Sequence, residues 1–451
     1  MIVLMTSLGH AKRFNGAEIK PQLAQYMAMI AENNHFSGEI LIGRKGQVVF
    51  NQSTGLASIE HNVALKPQAK YHISSITKTM TAGLIVMAEQ EGRLDRNDAV
   101  MKYVPQLDEK FSAITIADLL SHRSGLPHHE GISDYWAIKS RLVMTRAQTL
   151  AVINAMKLKF TPGTEFHYSS PGYYLLACVL EQVYGQSLAE IRRKKILDRL
   201  EMADTGQLDS LDIIPGLANG YHLVKSERKV APYRNYSMLT GAGDMYSTAG
   251  DLMKWANEIH QGNLLIHPDW LGFYANDALD DPSDRHYDFG WYRQNKAPAS
   301  RYHGGGTWGY SSYLGLYPDS GITVIILSNV SRLAIDEMAN NIEQILFTED
   351  YKLPAEQTPN HGKLYNISQY TGTFIGPDRQ MVLRIFESDQ SLYAKLGTNP
   401  AFEIFFKKDN QFFAKKINIE LSFKSKDNQI VALTANRMGQ HIYFTKDNQG
   451  L

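Results

Sequence analysis

The chain has little cysteine and no excess of charge, and both features exclude classes of function. Cys178 is the only cysteine, so neither an intramolecular disulfide nor a cysteine-based metal cluster can form. The 46 basic residues balance 46 acidic ones, and this net charge of zero provides no positive surface for nucleic acid or anionic membranes. No apolar run reaches the about 18 residues that would cross a membrane. The composition therefore favours a small neutral or zwitterionic substrate, with no nucleic acid and no integral membrane segment.

Common enzyme motifs are also missing or out of context. No Gly-x-Ser-x-Gly elbow occurs, which excludes the α/β-hydrolase arrangement. Residues 304–309 have the glycine spacing of a dinucleotide-binding loop, but a strand follows instead of a helix, so we predict no cofactor. A zinc hydrolase is an alternative raised by one loop, although no His-Glu-x-x-His helix exists and we predict no metal. That loop holds His122, His128, His129 and Glu130.

The most informative segment is Ser75-x-x-Lys78, a serine followed three residues later by a lysine. Residues 79–92 continue with apolar side chains at helical spacing and end on a glycine, which predicts a helix starting at the serine. Positions i and i+3 share a helix face, so the Lys78 amine is expected within hydrogen-bond reach of the Ser75 hydroxyl, as a candidate proton acceptor. Unpaired N–H groups at the helix start favour the developing negative charge. A second copy, Ser226-x-x-Lys229, has no amphipathic helix behind it and is interpreted as solvated surface.

Two further segments supply candidate residues. Tyr168-Ser169-Ser170 precedes an apolar helix predicted over Tyr173–Val183. A tyrosine whose pKa is lowered by a lysine ammonium can take and return the serine proton, whereas a core tyrosine with a wet hydroxyl is the alternative. His303-Gly304-Gly305-Gly306 leads into a strand predicted over Tyr310–Tyr317. Glycines on a strand let a substrate backbone approach closely, and the N–H after them can join the serine N–H in holding an oxyanion.

The secondary-structure pattern indicates an α+β region. A helix is predicted over Ile19–Ile30, a β-hairpin over Glu39–Phe50 and, after a mainly helical stretch, strands over Tyr310–Tyr317 and Ile322–Ser328. A helix is predicted over 334–347. Sheet residues at both ends of a helical insert predict one α+β domain whose sheet is assembled from distant segments.

Composition predicts the domain boundaries. Residues 1–15 are predicted to be a loose terminus or a signal remnant, so the localisation is either periplasmic after export or cytoplasmic. Residues 16–350 form the α+β domain and residues 351–363 a polar linker. In residues 364–451 the tetrapeptide Lys-Asp-Asn-Gln recurs after alternating apolar runs. This pattern is typical of turns in a small antiparallel β-barrel.

The motifs taken together closely resemble the serine hydrolases of the penicillin-binding protein and class C β-lactamase superfamily, over about residues 25–350. The sequence Leu-Leu-Ser-His-Arg-Ser-Gly-Leu-Pro at 119–127, between the first two motifs, adds to the likeness. The resemblance implies a β-lactamase/transpeptidase-like fold: an antiparallel five-stranded sheet flanked by helices, a helical subdomain, and an active site in the cleft between them. The C-terminal region resembles the lipocalin-like β domain of some of these peptidases and esterases.

The resemblance also implies roles for single residues. Ser75 is similar in position to the acylated nucleophile, and Lys78 and Tyr168 to the pair that handles protons. His303 is similar to the residue that replaces the lysine of a Lys-Thr-Gly triad. The N–H groups of Ser75 and Gly306 would form the oxyanion hole. Whether the base is Lys78 or Tyr168 stays open.

Departures from the family pattern bear on the substrate. Tyr-x-Asn has become Tyr168-x-Ser170, which removes the amide that grips the acyl side chain, and Gly304 stands where β-lactamases have a hydroxyl. Ser170, Gly304 and Gly305 are the predicted substrate-binding residues. A histidine at 303 is similar to D-amino-acid-specific peptidases, D-alanyl-D-alanine carboxypeptidases and many esterases of the group. Because histidine loses its charge near neutrality, a carboxylate anchor there would depend on pH.

The predicted function is a serine hydrolase that acts through an acyl-serine intermediate on a small ester, amide or peptide, as an esterase or D-amino-acid-type peptidase. A weak β-lactamase or a D-Ala-D-Ala carboxypeptidase is one alternative. The other is a penicillin-binding sensor that is acylated without turnover. Specificity is expected to depend on loops at 127–135 and 282–287.

Overall fold

The computed structural model describes most of the chain. The described residues are 16–33, 36–209, 212–224, 227–262, 264–265, 286–294, 298–331, 333–348, 367–376, 381–388, 391–397, 401–414, 419–427, 429–437 and 440–447. The predicted terminus at 1–15, the linker at 351–363, Ser226 and most of the loop at 282–287 lie outside them. The described chain divides into two compact units, one built on a seven-stranded sheet and the other on a closed barrel.

The helices and strands have the following bounds. The α-helices of the described residues are α1 (Gly16–Asn33), α2 (Thr77–Gln90), α3 (Ile116–Leu120), α4 (Arg146–Asn154), α5 (Ser170–Tyr184), α6 (Leu188–Arg192), α7 (Ala249–Gln261) and α8 (Ile335–Phe347). The strands before the barrel are β1 (Gly38–Arg44), β2 (Gln47–Thr54), β3 (Leu56–Ser58), β4 (Val63–Ala64), β5 (Tyr71–His72), β6 (Gly206–Gln207), β7 (Tyr221–Val224), β8 (Glu227–Val230), β9 (Met245–Ser247), β10 (His286–Asp288), β11 (Trp291–Gln294), β12 (Ser300–Thr307), β13 (Tyr310–Tyr317), β14 (Ile322–Ser328) and β15 (Val330–Ser331). In the part of the chain that is described, no helix has both the length and the apolar character needed to cross a bilayer.

The central sheet is antiparallel and has the strand order β10-β11-β12-β13-β14-β1-β2. The pairing of β1 with β14, in which Gly38 lies opposite Ser328, joins the two ends of the domain across the helical insert. This arrangement confirms the predicted α+β domain with a sheet assembled from distant segments. The sheet has seven strands where five were expected, because the short hairpin β10–β11 extends the edge beside β12.

Helices cover the sheet because its central strands are apolar on both faces. Every residue of β13 and β14 is buried. Helix α7 packs against β1 and β14, and its buried side chains recur at helical spacing, as expected for a helix that lies on a sheet. Helix α1 packs against β2. These contacts fix the sheet as the wall against which the site is built.

Helix α2 is an interior helix. All of its residues from Thr77 to Ala88 are buried, and it packs against α5. The sequence pattern predicted one apolar face, but the structure encloses the whole circumference, polar positions included. A lysine on such a helix is removed from water, and this burial changes its chemistry.

The second unit is a closed antiparallel barrel of eight strands. They are β16 (Gly372–Ile375), β17 (Val382–Ser388), β18 (Ser391–Leu396), β19 (Phe402–Lys408), β20 (Gln411–Ala414), β21 (Ile419–Lys426), β22 (Gln429–Arg437) and β23 (Gln440–Lys446), and β23 pairs with β16 to close the ring. The barrel encloses aromatic side chains such as Phe374, Phe412 and Phe423. Asp409 and Asn410, in the first of the repeated tetrapeptides, have φ values of 37° and 63°, the backbone of a two-residue hairpin turn. The predicted small antiparallel barrel is therefore confirmed.

Candidate active site

Ser75 is presented by a tight turn that leads into α2. The turn Ser74–Ile76 is a 3-10 helix, and α2 proper begins at Thr77. Ser74 has φ near 50°, which is uncommon for a residue other than glycine and typical of strained functional turns. Ser75 is half-buried, whereas Ser74 and Ile76 are buried. The turn therefore exposes one hydroxyl, and as a first-turn residue Ser75 has an N–H without an intrahelical acceptor.

The Lys78 amine lies beside this hydroxyl, as the sequence spacing predicts. Its Nζ lies within hydrogen-bond distance of three oxygens: Ser75 Oγ at 3.2 Å, Ser170 Oγ at 3.2 Å and the Ala242 carbonyl oxygen at 2.7 Å. The side chain is fully buried. Burial is the main cause that holds the pKa of Lys78 well below its usual range, and the positive charge of Arg234 acts in the same direction, against Asp244. The arrangement favours a neutral amine with a lone pair available to Ser75.

A distant loop completes the surroundings of Lys78, and sequence reasoning missed it. Arg192 and Asp244 form a buried, bidentate ion pair with both N–O distances at 3.0 Å. Asp244 also accepts from the Gly241 N–H at 3.0 Å, which fixes the turn that carries the Ala242 carbonyl. The sequence offers only the short run Gly-Ala-Gly-Asp at 241–244 as a signal, and nothing in that run points to a lysine partner.

Tyr168 lies against the Ser75–Lys78 pair, but its pKa moves opposite to the expectation. Lys78 Nζ lies 4.9 Å from the centroid of the Tyr168 ring. Burial raises the pKa of Tyr168 well above its usual value and outweighs the lowering effect of a hydrogen bond with Ser75. The expected phenolate is therefore wrong for this environment. Tyr168 is a protonated hydroxyl beside Ser75, suited to donating a hydrogen bond.

Two histidines hold the backbone next to Tyr168. His122 Nδ1 accepts from the Ser169 N–H and His128 Nδ1 accepts from the Ser170 N–H, both at 3.1 Å. These bonds place the Ser170 hydroxyl, predicted to contact substrate, against Lys78 instead. They also use the lone pairs that a zinc ion would need. In the described residues no group of three His, Cys, Asp or Glu side chains is arranged to hold a metal ion.

His303 is buried and satisfied at both ring nitrogens. Its Nδ1 lies 2.6 Å from the Gly304 carbonyl oxygen and its Nε2 lies 3.2 Å from the Tyr287 hydroxyl, so Nδ1 carries the proton and Nε2 accepts. Burial, with the nearby Lys78, lowers the pKa of His303 to about 3. The expected change of charge near neutrality is therefore wrong. His303 is neutral at ordinary pH and orients Tyr287, a partner that the sequence did not indicate.

Gly305 and Gly306 of β12 have different surroundings, one against the serine turn and the other facing open space. A side chain at Gly305 would overlap the Ile73 carbonyl oxygen and the Ser312 hydroxyl, so β12 approaches the turn closely only because this residue is glycine. A side chain at Gly306 would meet nothing within 4 Å, so this position faces open space.

The hairpin register directs the glycine N–H groups. Thr307 and Tyr310 flank a two-residue turn and are the hydrogen-bonded pair, so Gly304 and Gly306 turn their N–H groups away from β13. Strand β11 pairs with β12 only as far as Tyr302, and no other described strand pairs with this edge. The Gly306 N–H is thus available to an oxygen in the cleft, as the predicted oxyanion hole requires.

The enclosed histidines predict a loss of stability in acid. The pKa values of His72, His128 and His303 are each lowered to about 3, chiefly by burial. In the unfolded chain they titrate near 6.5, so below that pH the unfolded state binds protons that the folded state refuses. Stability is full above pH 6.5 and falls towards pH 3, by about 1.4 kcal/mol per pH unit for each group. Melting temperatures measured from pH 7.5 down to 4.5 should fall steadily.

Two variants make this measurement specific. His303→Gln removes one such group and should flatten the slope of stability against pH, whereas His61→Gln, at an exposed position, should leave it unchanged. A melting temperature that stays constant between pH 6.5 and 4.5 would contradict the prediction.

Comparison with known proteins identifies relatives of this arrangement. Residues 23–346 match the family model described as Beta-lactamase. Penicillin-binding protein 4* of Bacillus subtilis (strain 168) is 26% identical over 414 residues, which cover 87% of this chain and 91% of that protein. The octameric penicillin-binding protein homologue from Pyrococcus abyssi superimposes with a TM-score of 0.66 at 22% identity, covering 94% of this chain and 100% of that one. A class C beta-lactamase in complex with cefoxitin gives a TM-score of 0.63 at 19% identity, covering 73% and 99%.

Proposed function

The chain belongs to the beta-lactamase family, and from this premise we propose that it is a serine hydrolase that acts on small esters or amides through an acyl-Ser75 intermediate. The observation that carries the proposal is the 3.2 Å distance between the Lys78 amine nitrogen and the Ser75 hydroxyl oxygen, which lets the hydroxyl donate to the free amine. A fully buried amine with a lowered pKa can serve as a base at neutral pH, which an ordinary lysine cannot.

In the first step Ser75 Oγ attacks the substrate carbonyl carbon while neutral Lys78 takes the hydroxyl proton. The carbonyl electron pair moves to the oxygen, which becomes an oxyanion. The N–H groups of Ser75 and Gly306 donate to it, and both are supplied by backbone that is fixed before substrate arrives. Strand β12 and the serine turn, which lie against one another, hold this geometry.

The tetrahedral adduct then collapses and the bond to the leaving group breaks. The proton held on Lys78 passes to the departing oxygen or nitrogen, and the protonated Tyr168 hydroxyl donates a hydrogen bond beside Ser75. In the second half of the reaction a water molecule attacks the acyl carbon and Lys78 accepts the water proton. Lys78 then passes this proton to Ser75 Oγ as the bond between the acyl group and the serine breaks. Lys78 begins and ends each cycle as a free amine.

The surroundings favour simple acyl donors over β-lactams. Position 170 carries a serine whose hydroxyl is taken up by Lys78 at 3.2 Å, so no amide is present there to grip an acylamino side chain. Gly304 offers no hydroxyl, and neutral His303 offers no charge. These departures weaken recognition of a β-lactam more than recognition of a short ester.

A substrate panel tests the proposal. We expect hydrolysis of short p-nitrophenyl esters, slower cleavage of D-aminoacyl amides and D-Ala-D-Ala peptides, and poor turnover of a chromogenic cephalosporin. Mass spectrometry of the quenched reaction should show an acyl group on Ser75. A stoichiometric burst without turnover for every compound would instead favour the acylated sensor, and absence of any acylation would refute the hydrolase.

A further inference from the structure

The ion pair between Arg192 and Asp244 is enclosed by the core, two residues along the chain from a hydrogen-bond partner of the candidate base. Each of the two residues is 1% exposed, and both N–O distances are 3.0 Å. Arg192 is the last residue of α6, and a π-helical turn, an irregularity that is frequent at functional sites, follows it. Because a buried ion pair is often no more stabilising than apolar side chains of similar volume, stability alone does not explain it.

The ion pair holds one short turn, residues 241–244. Asp244 Oδ1 accepts from Arg192 Nη2 and also from the Gly241 N–H at 3.0 Å. From the other side, Thr81 Oγ1 on α2 donates to the Gly241 carbonyl oxygen at 2.7 Å. The turn is therefore tied to α6 through the ion pair and to α2 through the threonine hydroxyl, so its carbonyl groups point in fixed directions.

Ala242 in this turn directs the Lys78 amine. A neutral amine has two N–H donors and one lone pair. The Ala242 carbonyl oxygen at 2.7 Å and the Ser170 hydroxyl oxygen at 3.2 Å are placed to accept the two N–H groups. The lone pair then faces the remaining neighbour, Ser75 Oγ at 3.2 Å. Because the contact with Ala242 is the shortest of the three, a shift of the turn would rotate the lone pair away from the hydroxyl.

We propose that the Arg192–Asp244 ion pair positions the candidate base. It fixes the carbonyl group of Ala242, which takes one N–H of the free Lys78 amine and thereby aims the lone pair at Ser75. The inference rests on the proposed function, because only an acylating serine requires an aimed lone pair. Both members of the ion pair are positioning residues, since neither of them touches the reacting atoms.

Asp244→Asn tests the charge while it keeps the shape of the side chain. The amide oxygen can still accept from the Gly241 N–H, but the NH₂ group cannot accept from Arg192, so the turn is held less firmly. We expect the acylation rate constant for p-nitrophenyl acetate, measured by stopped flow as the first release of p-nitrophenol, to fall by about 10- to 100-fold. Burial lowers the pKa of Lys78 and the charge of Asp244 opposes this effect, so the variant should also move the acidic limb of the rate to lower pH.

The acidic limb reports on Lys78 because its titratable neighbours keep one charge state through the neutral range. Burial is the main cause that lowers the pKa values of the neighbouring histidines and raises those of the neighbouring tyrosines. These neighbours are His122, His128, His303, Tyr168 and Tyr173. Arg234, whose charge also acts on Lys78, stays protonated. A merely structural ion pair would leave the limb in place.

A second variant keeps the test decisive if Asp244→Asn does not fold. Arg192→Met/Asp244→Leu replaces the whole ion pair by apolar side chains, a change that is often neutral or stabilising. We expect it to fold and yet to acylate about 10- to 100-fold more slowly, because the turn has lost its anchor. The matched control is Glu89→Leu/Arg96→Met, which removes a bidentate pair with distances of 2.9 and 2.7 Å at the other end of α2. It should change acylation by less than about threefold.

The outcomes distinguish this inference from the function on which it rests. If the unmodified protein acylates Ser75 and the variants of the Arg192–Asp244 pair keep its acylation rate and pH profile, the pair is only structural and the inference is wrong. An equal loss of rate in the control would also overturn it, because the effect would not be specific to the turn. If the unmodified protein takes no acyl group from any substrate, the proposed hydrolase itself has failed.

Discussion

Replacing Ser75 with alanine is expected to abolish covalent labelling by a fluorophosphonate probe and to lower ester turnover by at least about 10³-fold. Ser75 is the hydroxyl that the strained turn leaves half-exposed, with the Lys78 amine 3.2 Å away. The backbone donors survive the change, so a trace of catalysis by water remains. Labelling is read by intact-protein mass, and turnover by release of p-nitrophenol.

The neighbouring serine provides the matched control. Ser74 is buried and its Oγ has no hydrogen-bond partner among the described residues, so Ser74→Ala removes no hydrogen bond of the hydroxyl. It should keep its label. Ser226→Ala, in the second Ser-x-x-Lys copy, should also change nothing. Full labelling of Ser75→Ala would show that another residue is the nucleophile.

The local part of this site could be predicted from sequence. The three-residue spacing of Ser75 and Lys78 on a helix fixes their approach whatever the rest of the chain does, because helix geometry is local. The same reasoning predicted the bounds of β13 and β14, which agree with the structure to the residue. Short runs rich in apolar residues, bounded by clear turn sequences, can be assigned as strands without tertiary information.

What depends on burial could not be predicted. Lys78 finds its shortest hydrogen bond at Ala242, which is 164 positions away in the sequence. The direction of the Tyr168 pKa was wrong because the expectation counted a nearby charge and omitted desolvation, which dominates. For the same reason His303 is neutral far below pH 6.5. Desolvation is a property of the assembled core and has no local signature.

The edge hairpin and the complete burial of α2 could not be predicted for a related reason. The hairpin β10–β11 consists of strands of three and four residues. Such short runs carry no alternation that separates them from a loop. In α2 the polar residues are buried because neighbours cover them, and a sequence pattern reports only which faces are apolar. The missed features are those that other parts of the chain impose.

Replacing Lys78 with methionine is expected to lower the rate of acylation by about 10² to 10⁴-fold at neutral pH, the range that a general base contributes. Methionine fills a similar volume without an amine, and burying it costs less than burying a lysine that must first give up its proton, so the melting temperature should stay the same or rise. Lys102→Met, at an exposed lysine paired with Asp98 at 2.8 Å, is the control and should leave acylation unchanged.

The pH dependence decides between the two candidate bases. The free-amine fraction of Lys78 rises with pH, so the acylation rate should increase as the pH is raised from acid. Because burial lowers the pKa of Lys78, the rate should reach its plateau well below the pH at which an ordinary lysine loses its proton. Lys78→Met should lose that acidic limb along with its rate. A phenolate base at Tyr168, whose pKa is raised, would instead require rates that climb only above pH 10. If the unmodified protein shows such an alkaline rise and Lys78→Met retains it, the proton transfer belongs to the tyrosine. Only a group that must lose its proton at high pH produces that profile, and the variant has no lysine at position 78.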